Sequence, residues 1–129
     1  MEEKTVVSTD QAAGPFGGAP YSQAIVSNGF VFTAGQIGAK ADGSGLVGES
    51  VEEQTEQVFA NLNAILEAAG SSLDRVVKTT VFLTDLDDFG AMNDIYRRHV
   101  GDSPPARSTV EVSRLPSGVK VEIEAIALA

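Results

Sequence analysis

The stretch "SVEEQTEQVFANLNAILEAAG", residues 50–70, limits what this chain can fold into more than any other segment. Val51, Thr55, Val58, Leu62, Ile65, Leu66 and Ala69 recur at helical spacing and form one apolar stripe. Ser50 and Glu53 fit a capping box, in which each side chain answers an unpaired backbone N–H of the first turn. Gly70 follows where a left-handed backbone ends a helix at least cost. A long helix with a single apolar face must bury that face against another layer.

The flanking sequence supplies that layer as strands. "YSQAIVSNGFVFTAGQI" reads as two strands, near 22–27 and 30–34, joined by Asn28-Gly29. An Asn-Gly pair between β-rich runs favours a tight hairpin because both residues tolerate positive φ. "RVVKTTVFLT" (75–84) is β-branched and long enough for a buried strand. A second helix is expected over roughly 87–99, capped by Asp85 or Asp87 and stopped by Gly101. Two final strands, 107–114 and 119–128, flank the turn "LPSG", and one more strand is expected near Thr5–Ser8. Residues 10–20 and 38–49 are rich in glycine and read as loops. The order β-β-α-β-α-β-β points to an α+β fold, one domain over residues 1–129, with two helices on one face of a mixed sheet. The other face must meet water or another subunit.

Composition removes several kinds of chemistry. The chain has no cysteine and one histidine, His99, so it has no thiolate nucleophile, no disulfide and no multi-histidine metal site of its own. A Ser-His-Asp triad would have to use His99, and no G-x-S-x-G turn accompanies it. Catalysis here would rest on carboxylates, an arginine, hydroxyls and backbone amides, with no metal or organic cofactor. The net charge of −9 repels phosphate backbones and anionic lipid, so neither nucleic acid nor a membrane surface is an expected partner. No apolar run approaches the ~20 residues of a membrane span, and the first ten residues lack a signal-peptide pattern, which makes a cytoplasmic location the expectation.

The C-terminal strands raise the sharper question. If residues 107–114 and 119–128 pair as a hairpin about Pro116-Ser117, Val110 and Val112 should side with Val121 and Ile123. Arg107, Thr109, Glu111, Glu122 and Glu124 would then share the opposite face. One reading of that face is a solvated surface with cross-strand ion pairs worth about 0.2–1 kcal/mol each. The other takes its cue from Pro104 and Pro105, which stiffen the approach to Arg107. A guanidinium held on a stiff strand can grip a carboxylate through two parallel hydrogen bonds.

Other polar residues admit two readings each. Asn93 sits on or beside the apolar stripe of the second helix, to bond a loop or to contact a ligand. Tyr21 closes the Pro/Gly loop, packed over it or lining a site. Gly35 in "TAGQI" lets backbone approach a ligand closely or relieves a bulge. His99, near a helix C-terminus, would complement the helix dipole.

The segments "APYSQA" (19–24), "TAGQI" (33–37), "EAAG" (67–70), "VVKTTVFLTDLDDFGAMNDIY" (76–96), "PPARSTVEV" (104–112) and "LPSGVKVEIEAIA" (115–127) together resemble the reactive intermediate deaminase (YjgF) family. The likeness runs from about Tyr21 to the C-terminus. It implies chorismate-mutase-like subunits in a homotrimer, sheets around a central barrel, with clefts at the subunit boundaries. It also implies hydrolysis of 2-imino acids, such as 2-iminobutanoate and 2-iminopropanoate, to 2-keto acids and ammonia. By motif, Arg107 would bind the substrate carboxylate and Glu122 would be the acid nearest the attacking water. Tyr21, Gly35, Asn93 and Thr109 would line the cleft. Two departures stand out: Ala34 where many relatives have serine, and Thr109 where some have cysteine. Two other functions compete with deamination: a non-catalytic, chaperone-like trimer that holds small carboxylates, and a ribonuclease or translation inhibitor, which the negative charge opposes.

Overall fold

The computed structural model describes residues 3–129. One six-stranded sheet carries β1 (Thr5–Val7), β2 (Ala24–Ser27), β3 (Phe30–Thr33), β4 (Val76–Leu83), β5 (Ala106–Glu111) and β6 (Val121–Leu128) in the order β1-β2-β3-β6-β4-β5. Helices α1 (Val51–Ala68) and α2 (Phe89–Val100) pack on one of its faces. The mixed α+β architecture is therefore the one expected.

Local signals translate directly into local structure. Ser50 caps α1, its hydroxyl accepting from the Glu53 N–H at 3.1 Å and donating to the Glu53 carboxylate at 2.9 Å. Such a cap stabilises a helix by about 1 kcal/mol. Asn28 and Gly29 take φ of 53° and 82°, turning β2 back onto β3. Asp85 caps the short 3-10 turn Leu86–Asp88 that leads into α2, accepting from the Asp87 N–H at 2.8 Å. The stripe of α1 is buried against Val81, Leu83, Val121 and Ile123 at one end and Val31 and Ala127 at the other.

The last two strands do not form a hairpin. β6 pairs antiparallel with both β3 and β4, and β5 pairs parallel with β4 on its far side. The unit β4-α2-β5 is a crossover, which is how a helix connects parallel neighbours. β5 is the sheet edge, where a proline at the strand entry leaves no ladder bond unmade.

This arrangement corrects the expected sharing of faces. Thr79 is the register partner of Arg107, and Phe82 that of both Val110 and Glu122. Since strand neighbours alternate, Arg107, Thr109 and Glu111 lie on the helix-bearing face with Thr79 and Val81. Glu122 and Glu124 lie on the open face with Thr80, Phe82 and Val110. Val110 is 43% exposed instead of joining Val121 and Ile123 in the core. The open face also shows Val6, Phe32 and Leu128 to the surroundings.

Candidate functional site

Two hollows, one for each face of the sheet, hold the residues of interest, and they share no lining residue. The first, about 370 Å³, surrounds Glu122 with Phe16, Tyr21, Ala34, Gly35 and Ile37. The second, about 260 Å³, surrounds Arg107 with Asn93, Tyr96, Val100, Gly101 and Pro104.

The Glu122 hollow is built by a loop pinned to β6. Gln36 and Ile123 exchange backbone hydrogen bonds at 2.8 and 3.1 Å, which sets Gly35 beside Glu122. A Cβ on Gly35 would overlap the Glu122 carboxylate, whose Cδ would lie 2.8 Å from it. Glycine thus lets the acid lie against the backbone, and any larger residue here would push the Glu122 carboxylate aside. Two buried amides of α1 hold the same loop in place. Asn61 donates to the Ile37 and Ala39 carbonyls at 3.2 and 3.0 Å, and Gln54 bridges the Gly48 carbonyl and the Lys120 N–H at 3.1 and 2.7 Å. Tyr21 accepts the Phe16 N–H at 2.6 Å, closing the 3-10 turn Phe16–Gly18 over the hollow. The phenol thus both packs on its loop and faces the cavity. Burial pushes the Glu122 carboxyl above the usual carboxylate range, and the charge of Glu124 adds to that.

The Arg107 hollow is aromatic. The guanidinium carbon stands 4.7 Å from the Tyr96 ring centre and 5.3 Å from that of Phe89. Among the described residues Arg107 has no ion-pair partner within 4.0 Å. Nearby, Asn93 Oδ1 and Thr109 Oγ1 are buried without a hydrogen-bond partner. Each orphaned atom of this kind costs about 1–3 kcal/mol, so a ligand that paired with it would recover that energy.

The structure therefore sets Arg107 and Asn93 in one hollow, with Thr109 two positions along β5 on the same face but outside the hollow's lining, and Glu122, Tyr21 and Gly35 in the other. It does not bring Arg107 and Glu122 together within one protomer. Sequence reasoning missed Tyr96, Thr79 and Phe89, whose roles arise where α2 crosses β4 and β5. It also missed Gln54 and Asn61, polar residues whose signal is their position on an apolar helix face. His99 does more than complement a helix end: its Nε2 lies 3.0 Å from Glu56 of α1, and its ring stacks on Phe59 at 4.6 Å. Among the described residues no three His, Asp or Glu side chains converge to hold a metal ion, and no helix is long and apolar enough to cross a membrane.

Residues 12–129 match the family described as endoribonuclease L-PSP. A RutC family protein of Pyrococcus abyssi is 51% identical over 124 residues, 96% of each chain. The 2-iminobutanoate/2-iminopropanoate deaminase of Homo sapiens is 41% identical over 125 residues, 97% of this chain and 90% of its own. Among solved structures, that of Escherichia coli TdcF with bound serine superposes with a TM-score of 0.88 at 40% identity, covering 97% of this chain and 98% of its own.

Proposed function

Since the chain belongs to the endoribonuclease L-PSP family, we propose that it is a cofactor-independent deaminase, hydrolysing 2-imino acids such as 2-iminobutanoate and 2-iminopropanoate to 2-keto acids and ammonia. The observation that carries this reading is the Arg107 guanidinium, held against Tyr96 beside the unpartnered Asn93 and Thr109 oxygens. An α-imino carboxylate offers what those groups lack: a planar anion for the fork and polar atoms on the adjoining carbon.

The working unit is a homotrimer. Its protomers bury their open, partly apolar sheet faces together, and each active site forms where the Arg107 hollow of one protomer meets the Glu122 hollow of the next. In that cleft Arg107 holds the carboxylate and fixes the imine carbon, a contribution of proximity. Glu122 takes a proton from water as the oxygen bonds to the carbon of the C=N. It then returns that proton to the nitrogen of the resulting carbinolamine, and as the C–N bond breaks the carbinolamine hydroxyl gives its proton to Glu122, so that ammonia leaves, the keto acid remains and Glu122 passes the proton on to ammonia. The raised Glu122 pKa suits a group that both accepts and donates protons, a contribution of about 10²–10⁴-fold. Tyr21 and the Gly35 backbone shape the cleft around the carboxylate of Glu122.

An amino-acid oxidase supplies the imine in the test, and semicarbazide traps what survives. The protein should divert 2-iminobutanoate from the trap, and Arg107→Ala should abolish that diversion with the assembly intact. Equal diversion by Arg107→Ala would remove the assignment. A protein that bound small carboxylates through Arg107 yet diverted no imine would instead be a non-catalytic binder. RNA cleavage is disfavoured by the −9 charge and by the engagement of the sole histidine with Glu56.

A further inference from the structure

Arg107 alone does not explain how a flexible side chain comes to present a fixed fork. Its register partner across the parallel ladder is Thr79, so the two side chains stand next to each other on the helix-bearing face. Thr79 is 2% exposed and Tyr96 5% exposed. Their hydroxyl oxygens are 2.6 Å apart, a hydrogen bond joining β4 to α2. On its inner side the Tyr96 ring meets Phe59 edge-on at 5.4 Å. On its outer side it carries the guanidinium of Arg107 at 4.7 Å. The ring is thus fixed at its hydroxyl and packed against another ring, and the guanidinium lies over it.

Resting on the reading that Arg107 binds the substrate carboxylate, we propose that Tyr96, tethered by Thr79, is the positioning residue that sets the plane of the Arg107 guanidinium and so the affinity of the site for carboxylates. A contact over the ring suits this role because it needs none of the guanidinium's N–H donors, all of which lie in the plane of the group. A salt bridge in its place would occupy the donors that a ligand needs. The Tyr96 hydroxyl touches no substrate; it is committed to Thr79.

The prediction separates ring from tether. Tyr96→Leu removes the platform and should weaken binding of 2-oxobutanoate, measured calorimetrically, by about 3- to 30-fold, the range of a partly desolvated cation–π contact. KM for 2-iminobutanoate should rise in parallel while kcat stays within about threefold, since the carboxylate is held alike in ground and transition states. Tyr96→Phe keeps the ring and should recover most of the affinity. Thr79→Val should match Tyr96→Phe, and the double variant should be no worse than either single one, because both delete one bond. The Arg107 Nε–H proton resonance, which feels the ring directly, should move in Tyr96→Leu with or without ligand. Unchanged affinity in Tyr96→Leu, or additive losses in the double variant, would overturn the proposal. So would an unmoved Arg107 resonance, even if wild type proved unable to bind 2-oxobutanoate, a result that would sink the carboxylate-binding reading on its own. Should Tyr96→Leu not fold, Tyr96→Met, which fills similar space without a ring, takes its place in every measurement and carries the same expected losses.

Discussion

Arg107 and Glu122 project from opposite faces of one sheet, with β4 between their strands, so no rotamer change joins them inside a protomer. If both act in one reaction, they come from different subunits. In the proposed homotrimer, Arg107→Ala and Glu122→Gln, each expected to be inactive alone, should therefore rescue each other when unfolded together and refolded as mixed trimers. Half the subunits then carry an intact arginine and half an intact glutamate. In a cyclic trimer with one arginine half and one glutamate half at each boundary, about one boundary in four (~25%) pairs two intact halves. Each variant alone should retain below about 1% of wild-type turnover, the scale of a lost acid–base group. The mixture should thus recover about a quarter of wild-type diversion of 2-iminobutanoate in the semicarbazide assay, and a 3:1 mixture about three sixteenths, by the same pairing rule. Refolding the variants separately and combining them afterwards is the control and should recover nothing until subunits exchange. If co-refolded mixtures show only the sum of the parents while native mass spectrometry, which resolves the mass difference between the two variant subunits, confirms mixed trimers, the shared-site reading is refuted.

Gly35→Ala should place a methyl group against the Glu122 carboxylate and lower kcat about 10²-fold by displacing it, with little effect on binding of 2-oxobutanoate at Arg107. Glu124→Gln removes one of the two causes that raise the Glu122 pKa, so the acid limb of the kcat/KM profile should move to lower pH. The folded state holds the Glu122 proton to higher pH than the unfolded chain, so stability is lost as pH rises from the usual carboxylate range through the raised value. In an Arg107→Ala background, where no facing guanidinium offsets this, Glu122→Gln should raise the melting temperature at pH 7 and leave it unchanged at pH 3; equal melting at pH 7 would refute the burial argument.

Much of the fold was legible residue by residue. The Ser50 cap, the apolar stripe of α1 and the Asn28-Gly29 turn each involve neighbours a few positions apart, and each appears where expected, except that the Glu53 carboxylate accepts from the Ser50 hydroxyl and not from the Ser50 backbone N–H of a full capping box. The short strand near Thr5 also appears, beside β2. The candidate residues themselves were legible as anomalies: an arginine after two prolines, an amide near an apolar stripe, a glycine within β-rich sequence. Their grouping was not. A hairpin between the last strands is the shorter connection, but it leaves β4 without the partner it has in β6. The observed sheet puts the eight-residue β6 in the interior, bonded on both edges, and sends the proline-led β5 to the rim through a crossover.

What the sequence determined by itself was the inventory and the local conformations: which segments are helix or strand, which turns reverse the chain, and which functional groups exist at all. Tertiary structure alone decided which strand lies beside which, and therefore that Arg107 looks toward the helices and Glu122 away from them. Helical periodicity and turn chemistry are satisfied within a few residues, whereas backbone hydrogen bonds between strands are chosen by competition across the whole chain, and each choice of neighbour assigns every side chain on that strand to a face.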